Sequence, residues 1–533
     1  MQYARRLAIA LLTATWLLGA STAATATCQS LSGKTIGKAL IVETNDIKPP
    51  FIASSMNMPG VTVNDPFCRV RGLLRPTPKS EIYFEVWLPR PEVWSGRYEG
   101  NAPGGFAGSM LYEMSQRGLH RGSATSTTDN GHVGSDAQEW AIGHPERVAD
   151  WGWRAVHETA VASKAIIAAY YGNAPKFSYY IGCSKGGGSG ITEAQRYPDD
   201  YDGIVASAMG WDHSGQLAKY VWNIQTVQAP GAWISPAKLA MLNQAVLSAC
   251  PSTGGYLDDP SSCTYDPVRL QCKHGDQRNC LTAQQVIAVQ RIYSGPTDVA
   301  GKSYSPGSAR GSELSWSRMM MGPEDKPGME TQGYNSGVNM VRALLFEDPS
   351  RSFSDLDPEA VLKQARAKLG PDWDATNFEL TSFSAAGGKL ISFHGWSDPN
   401  VPPAATVRYY EGAADKAGGV ARLKDFYRLF MGPGMEHCGG GPGPNAVGGA
   451  YGLAAPADDP EHDVVAALVR WREQGVAPEE LVATHYQDND PAKPITEQRP
   501  WCAYPATARY KGSGNKQEAA NWSCVAAQSA KKR

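Results

Sequence analysis

Between Tyr179 and Gly188 the chain reads Tyr-Tyr-Ile-Gly-Cys-Ser-Lys-Gly-Gly-Gly, an apolar run, then a serine among glycines, then a helical stretch over 191–197. This order constrains the fold more than any other feature. A serine fits between a strand and a helix only in a turn so tight that its neighbours must be small. The Gly182-x-Ser184-x-Gly186 pattern therefore predicts a strand over 177–181 running into a helix, with the Ser184 hydroxyl projecting from the top edge of a sheet. The backbone N–H of Lys185, at the start of that helix, then faces the oxyanion of an acyl transfer. In a chain with 56 glycines the five-residue pattern alone is weak. Its strand and helix context gives it weight.

The flanking sequence supplies the rest of such a sheet. Residues 82–88 and 203–208 read as strands and 156–171 as a helix, an alternation that predicts an α/β fold with a mostly parallel sheet covered on both faces. From 211 to 374 the texture changes, with four cysteines between 250 and 280, the Met319–Met321 run and a Pro/Gly-broken stretch over 322–328. This segment reads as an inserted lid domain between two parts of one core, 27–210 and 375–533. Strand and helix resume at 389–394, 404–412 and 426–431. At 42% hydrophobic and 19% charged the composition is that of a globular protein. Fifty Lys+Arg against 52 Asp+Glu leave a net charge of -2, which excludes a basic footprint for nucleic acid.

An activated serine needs a base and a carboxylate that orients it. In an α/β-hydrolase arrangement these follow in the order Ser, acid, His, each just past a strand. The apolar run ending at His394 leads into Gly-Trp-Ser-Asp-Pro, placing Asp398 in such a loop, and the run ending at Met431 leads into Gly-Pro-Gly-Met-Glu-His-Cys, placing His437 likewise. Alone, each would read as a turn aspartate and a loop histidine. His394, inside a strand, reads as a satisfied core histidine, and His462, among Asp459, Glu461 and Asp463, as a helix-start residue on a solvated face.

Residues 1–26 have the form of a secretory leader: Arg5-Arg6, an apolar stretch over 7–20, and small residues to Ala26. The stretch is too short to span a bilayer, and no later segment supplies about 18 unbroken apolar residues. The expected location is secreted or periplasmic, with no membrane partner. Export makes the ten cysteines a disulfide framework, and the absence of any Cys-x-x-Cys pair makes zinc the weaker reading. They fall as local pairs (28/68, 250/263, 272/280, 502/524) plus the distant Cys183 and Cys438, although sequence alone does not fix connectivity. Cys183 directly precedes the nucleophile candidate and Cys438 directly follows the base candidate. If Ser184 and His437 lie within hydrogen-bond reach, these neighbours fall in the range a disulfide bridges.

Gly-Cys-Ser-Lys-Gly-Gly, Gly-Trp-Ser-Asp-Pro and Glu-His-Cys-Gly-Gly-Gly resemble the signature of the tannase and feruloyl esterase family, which includes mono(2-hydroxyethyl) terephthalate hydrolases. Residues 150–158, 196–205 and 503–514 are similar to it as well. The resemblance implies secreted serine esterases with an α/β-hydrolase core and a large lid, no cofactor, and disulfides 28–68, 183–438, 250–263, 272–280 and 502–524. It implies an oxyanion hole from the Lys185 N–H and one N–H of the glycine loop 101–106. Gly105 is favoured there, though sequence does not choose between it and Gly104. Two positions depart from the family. Its members commonly carry a calcium loop matching Cys250–Cys263, whereas here only Asp258 and Asp259 supply acids, a poor start for an ion wanting six to eight oxygens; no metal is expected. Val401 stands where terephthalate monoester hydrolases tend to carry an aromatic.

The expected function is a secreted serine carboxylesterase acting on a small aromatic ester, of hydroxycinnamate, gallate or benzoate/terephthalate type. The rivals are a serine peptidase of the same fold and a ligand-binding protein with an idle triad. Lid side chains Trp211, Trp222, Trp233, Trp316 and Met319–Met321 are of the kind that line apolar pockets for planar groups; the alternative is that they form the lid's own core.

Overall fold

The structure is a computed structural model that describes residues 26–55, 60–106, 108–135, 140–298 and 300–526. The leader expected over 1–26 lies outside the described residues except for Ala26.

Ten strands form one sheet. In chain order they are β1 (Thr35–Ile36), β2 (Ala39–Ile47), β3 (Phe67–Leu74), β4 (Ile82–Pro89), β5 (Arg97–Asn101), β6 (Ala124–Thr128), β7 (Phe177–Cys183), β8 (Gly203–Ser207), β9 (Lys389–Gly395) and β10 (Tyr427–Gly432). Their spatial order is β1-β2-β3-β4-β6-β5-β7-β8-β9-β10. From β6 to β10 every pairing is parallel, whereas β1 to β4 and the β4–β6 contact are antiparallel. The sheet is therefore mixed, with five of its nine pairings parallel and an antiparallel run on one side. The link 75–81 between β3 and β4 is too short for a crossover, so the chain must turn straight back.

Burial follows the same division. Strand β8, Gly-Ile-Val-Ala-Ser, is buried throughout, because helices cover both its faces. On β2, by contrast, Ala39 and Ile41 are buried and Leu40 and Val42 are exposed. The helix Ala155–Tyr171 ends where Gly172 takes φ 80°, a left-handed cap that glycine adopts without penalty. The helix Val464–Gln474 starts where the Asp463 carboxylate accepts from the N–H groups of Val465 and Ala466.

The segment between β8 and β9 leaves and re-enters the core at one point. The Ala375 N–H donates to the Trp211 carbonyl at 2.9 Å. Asp374 accepts from the Ser214 N–H at 3.1 Å and its hydroxyl at 2.7 Å, and Arg366 pairs with both Asp212 and Asp374 at 2.8 Å. Beyond this clasp the helices His213–Gln228, Pro236–Ala249, Ala283–Ser294 and Pro358–Lys368 pack around a second apolar cluster, which Trp140, Ala141 and Trp151 join from the core side.

Five disulfides pair Cys28–Cys68, Cys183–Cys438, Cys250–Cys263, Cys272–Cys280 and Cys502–Cys524, the pairings the family resemblance implies. Such a framework fits an oxidising compartment. Among the described residues no helix is long and apolar enough to cross a membrane.

The loop closed by Cys250–Cys263 does not fit a calcium ion. Asp258 forms an ion pair with Arg499 at 2.8 Å, so a guanidinium stands where a cation would need its ligand, and Asp259 caps a short turn through the Ser261 N–H at 2.9 Å. Chelation with EDTA is accordingly expected to leave the melting temperature within about 1 °C, because a ligand stabilises only a state that binds it. A drop of several degrees in differential scanning calorimetry would show a site built from other oxygens.

Candidate active site

Ser184 sits between β7 and the helix Lys185–Arg196 with φ 61° and ψ -123°. A non-glycine residue in this region carries about 1–3 kcal/mol of strain, and the surrounding hydrogen bonds hold it there. The Ser184 N–H donates to the Ser207 carbonyl at 3.0 Å, while its own carbonyl accepts from Gly188 at 2.9 Å and Gly210 at 2.8 Å. The glycines of the motif answer to close approach. A Cβ on Gly182 would stand 2.4 Å from the Gly186 carbonyl oxygen, and one on Gly186 would stand 2.9 Å from that of Ala102.

Asp398 lies just past β9 and is fully buried. Its Oδ1 accepts from the N–H groups of Asn400 at 2.7 Å and Val401 at 3.1 Å. Its Oδ2 accepts from His437 Nδ1 at 2.6 Å and from His394 Nε2 at 2.8 Å. Burial alone would raise its pKa; the His437 charge and the hydrogen bonds from the two histidines outweigh it and hold the carboxyl well below its usual range. His437 therefore carries its proton on Nδ1. Its Nε2 has no partner among the described residues, and the ring lines the same cavity as Ser184. The disulfide between Cys183 and Cys438, with Cα atoms 6.0 Å apart, ties the serine turn to the histidine loop.

His394 is a buried, satisfied histidine, and it is also bonded to Asp398. Its Nε2 carries the proton, because both groups facing it, Asp398 Oδ2 and the Val401 carbonyl at 3.1 Å, are acceptors only; Nδ1 meets Thr406 Oγ1 at 2.7 Å. His462 pairs with Asp459 at 3.0 Å and does not line the cavity.

The cavity above Ser184 encloses about 410 Å³, within the range of small-molecule sites. Its apolar wall is aromatic: Phe106 stacks on Trp151 at 5.0 Å, and Trp151 meets Trp373 at 4.2 Å. The Trp151 indole N–H donates to the Gly105 carbonyl at 3.2 Å, orienting the glycine loop. The Gly104 N–H is engaged by the Tyr451 hydroxyl at 2.8 Å, whereas the Gly105 N–H has no partner among the described residues.

The aromatic and methionine side chains expected to line this space lie elsewhere. Trp316 and Met319–Met321 are buried in the lid's own cluster, Trp222 lies under the Arg291 guanidinium at 3.7 Å, Trp233 donates to the Gly322 carbonyl and Trp211 packs in the core. The inserted segment contributes Tyr220 and Trp373 instead. Phe106 and Trp151 fall in stretches that carry the family resemblance, but nothing in the sequence marks either as cavity-facing. Val401 is buried, gives its N–H to Asp398 and does not line the cavity.

A family model described as tannase and feruloyl esterase matches residues 68–525. An uncharacterized esterase from Xanthomonas campestris pv. campestris is 36% identical over 94% of this chain and 92% of its own length. A probable feruloyl esterase B-2 from Aspergillus terreus is 30% identical over 89% and 88%. The crystal structure of feruloyl esterase B from Aspergillus oryzae superimposes with a TM-score of 0.83 at 25% identity, covering 92% of this chain and 98% of that one.

The depressed pKa of Asp398 has a signed consequence. Below about pH 4 the unfolded chain binds a proton that the folded one refuses, so stabilisation present above that pH is lost as pH falls toward the folded value. Asp398→Asn is expected to lower stability at pH 7 by about 2 kcal/mol, the scale of hydrogen bonds to a charged group. Urea unfolding over a pH series should show the gap to wild type closing steadily below about pH 4; a gap constant down to about pH 3 contradicts this account.

Proposed function

The chain belongs to the tannase and feruloyl esterase family and is a carboxylic ester hydrolase with an α/β-hydrolase core, and from that premise we propose that it is an exported serine esterase that cleaves esters of aromatic acids through an acyl-enzyme. The observation that carries this reading is the bond of 2.6 Å from the buried Asp398 to His437, whose ring lines the cavity that holds the strained Ser184.

The steps follow from these groups. His437 Nε2 takes the Ser184 proton as Oγ attacks the ester carbonyl, and Asp398 holds Nδ1 protonated and stabilises the imidazolium that forms. The carbonyl oxygen gains a negative charge, which the N–H groups of Lys185 and Gly105 are disposed to bind. Collapse expels the alcohol with the proton from His437. Water, deprotonated by the same nitrogen, then releases the acid and restores the serine. The engaged Gly104 N–H supports Gly105 as the second donor. The Cys183–Cys438 bond supports a fixed distance between nucleophile and base.

The Phe106, Trp151 and Trp373 wall supports a planar acyl group of hydroxycinnamate, gallate or benzoate type, with a small polar alcohol leaving. The five disulfides support export, and the composition of residues 1–26 supports a leader cleaved near Ala26.

Ser184→Ala is expected to lower kcat by about three orders of magnitude or more while leaving the circular dichroism spectrum unchanged; activity within about tenfold of wild type removes Ser184 from the mechanism. On methyl ferulate, methyl gallate, a terephthalate monoester and p-nitrophenyl butyrate and octanoate, kcat/KM should favour an aromatic acid by about tenfold or more. A preference of that size for octanoate refutes the aromatic pocket, and no turnover of any ester would identify a ligand-binding protein with an idle triad.

A further inference from the structure

Lys185 lies beside the proposed nucleophile, and the reading above uses only its backbone. The residue is 3% exposed and is among those that line the cavity, and its Nζ has no hydrogen-bond partner among the described residues. A buried charge normally sits against a carboxylate. Among the described residues that line the cavity there is no Asp or Glu, and no other Lys or Arg. Glu193 favours the charge without an ion pair to it, and the face of Trp151, whose ring centre lies 5.0 Å from Nζ, favours a cation but accepts no hydrogen bond.

The surroundings do not neutralise this demand. Burial drives the Lys185 pKa down to about 7 although Glu193 pulls the other way. His213, also on the cavity wall, is held down at about 4 by burial, with Lys185 adding to the effect against Asp374, so it stands neutral beside the lysine at pH 7. An anionic or strongly accepting oxygen brought to Nζ would satisfy the orphaned donor and favour its charged form. The same Trp151 that lies under Nζ also forms the aromatic wall with Phe106 and Trp373. The lysine and the aromatic wall therefore meet at one indole.

Resting on the esterase reading above, we propose that the Lys185 side chain is a specificity-determining group of the acyl pocket, pairing with an acidic oxygen, phenolic or carboxylic, borne on the aromatic ring of the acid half of the ester. Esters of unsubstituted aromatic acids leave the ammonium buried and unpaired, and are the poorer substrates for that reason. No covalent step involves the side chain; it binds and selects.

The test uses methyl cinnamate and its 3-hydroxy, 4-hydroxy and 4-carboxy forms with wild type, Lys185→Met and Lys185→Arg. Wild-type kcat/KM should be about tenfold or more higher for at least one oxygen-bearing ester than for methyl cinnamate. Whether a hydroxy or the carboxy form leads identifies the oxygen. In Lys185→Met that ratio should fall to within about threefold of unity, and Lys185→Arg should keep part of it. A wild-type ratio near one, or a ratio unchanged in Lys185→Met, overturns the proposal.

A binding measurement separates this inference from the reaction itself. If no ester turns over, the esterase reading fails. Calorimetry with the free cinnamic acids still decides the role of Lys185: binding tighter by about tenfold for an oxygen-bearing acid in wild type supports it, and equal affinities refute it. The same wild-type comparison decides the matter if Lys185→Met does not fold.

Discussion

A carboxylate sealed from water must have its oxygens filled by the protein, and at Asp398 that requirement organises the site. The two N–H groups on Oδ1 fold the loop after β9 back on itself. The two histidines on Oδ2 come from opposite sides, His394 from the strand beneath and His437 from the loop after β10. The loop that Asp398 shapes also reaches the inserted segment, where Lys219 donates to the Asn400 carbonyl at 3.2 Å and the Tyr220 hydroxyl meets the Asn400 side chain. One buried charge thus joins sheet, histidine loop and lid. Removing any of these partners leaves part of that charge uncompensated in a medium that cannot solvate it.

The serine turn was legible in the sequence because its constraint is local. Gly182 and Gly186 are glycines for reasons a few atoms away, and such reasons survive in a five-residue pattern. Asp398 and His437 were legible through order and position after strands, with the neighbouring cysteines as a second signal. The bond between His394 and Asp398 was not legible: four residues apart, they meet only because the chain reverses after β9. The antiparallel half of the sheet was missed for a different reason. Strands β2 and β3 carry Glu43, Asn45, Arg69 and Arg71 on one partly exposed face, and a strand with one wet face loses the continuous apolar run that marked β7 and β8.

The cavity wall shows where composition misleads. A lid rich in tryptophan and methionine reads as a supply of pocket side chains, yet a lid of this size must first bury a core of its own. Trp316 and the methionine run fill that core. Of the rings that do face the cavity, the stacked group Phe106, Trp151 and Trp373 comes one each from three separate stretches of chain. Only their meeting in space makes them a surface.

The clasp between Trp211 and Ala375 bears on how such a molecule can diversify. Because the insertion departs and returns through one hydrogen-bonded junction, its interior can lengthen, shorten or be exchanged without shifting the register of β8 against β9. Trp373 stands two residues from that junction, with the Gly152 turn packed so closely beneath that a Cβ there would lie 2.8 Å from the Asp372 carbonyl oxygen. The part of the roof that completes the aromatic wall is therefore anchored to the core side, as the insertion is again through Lys219 and Tyr220 on Asn400.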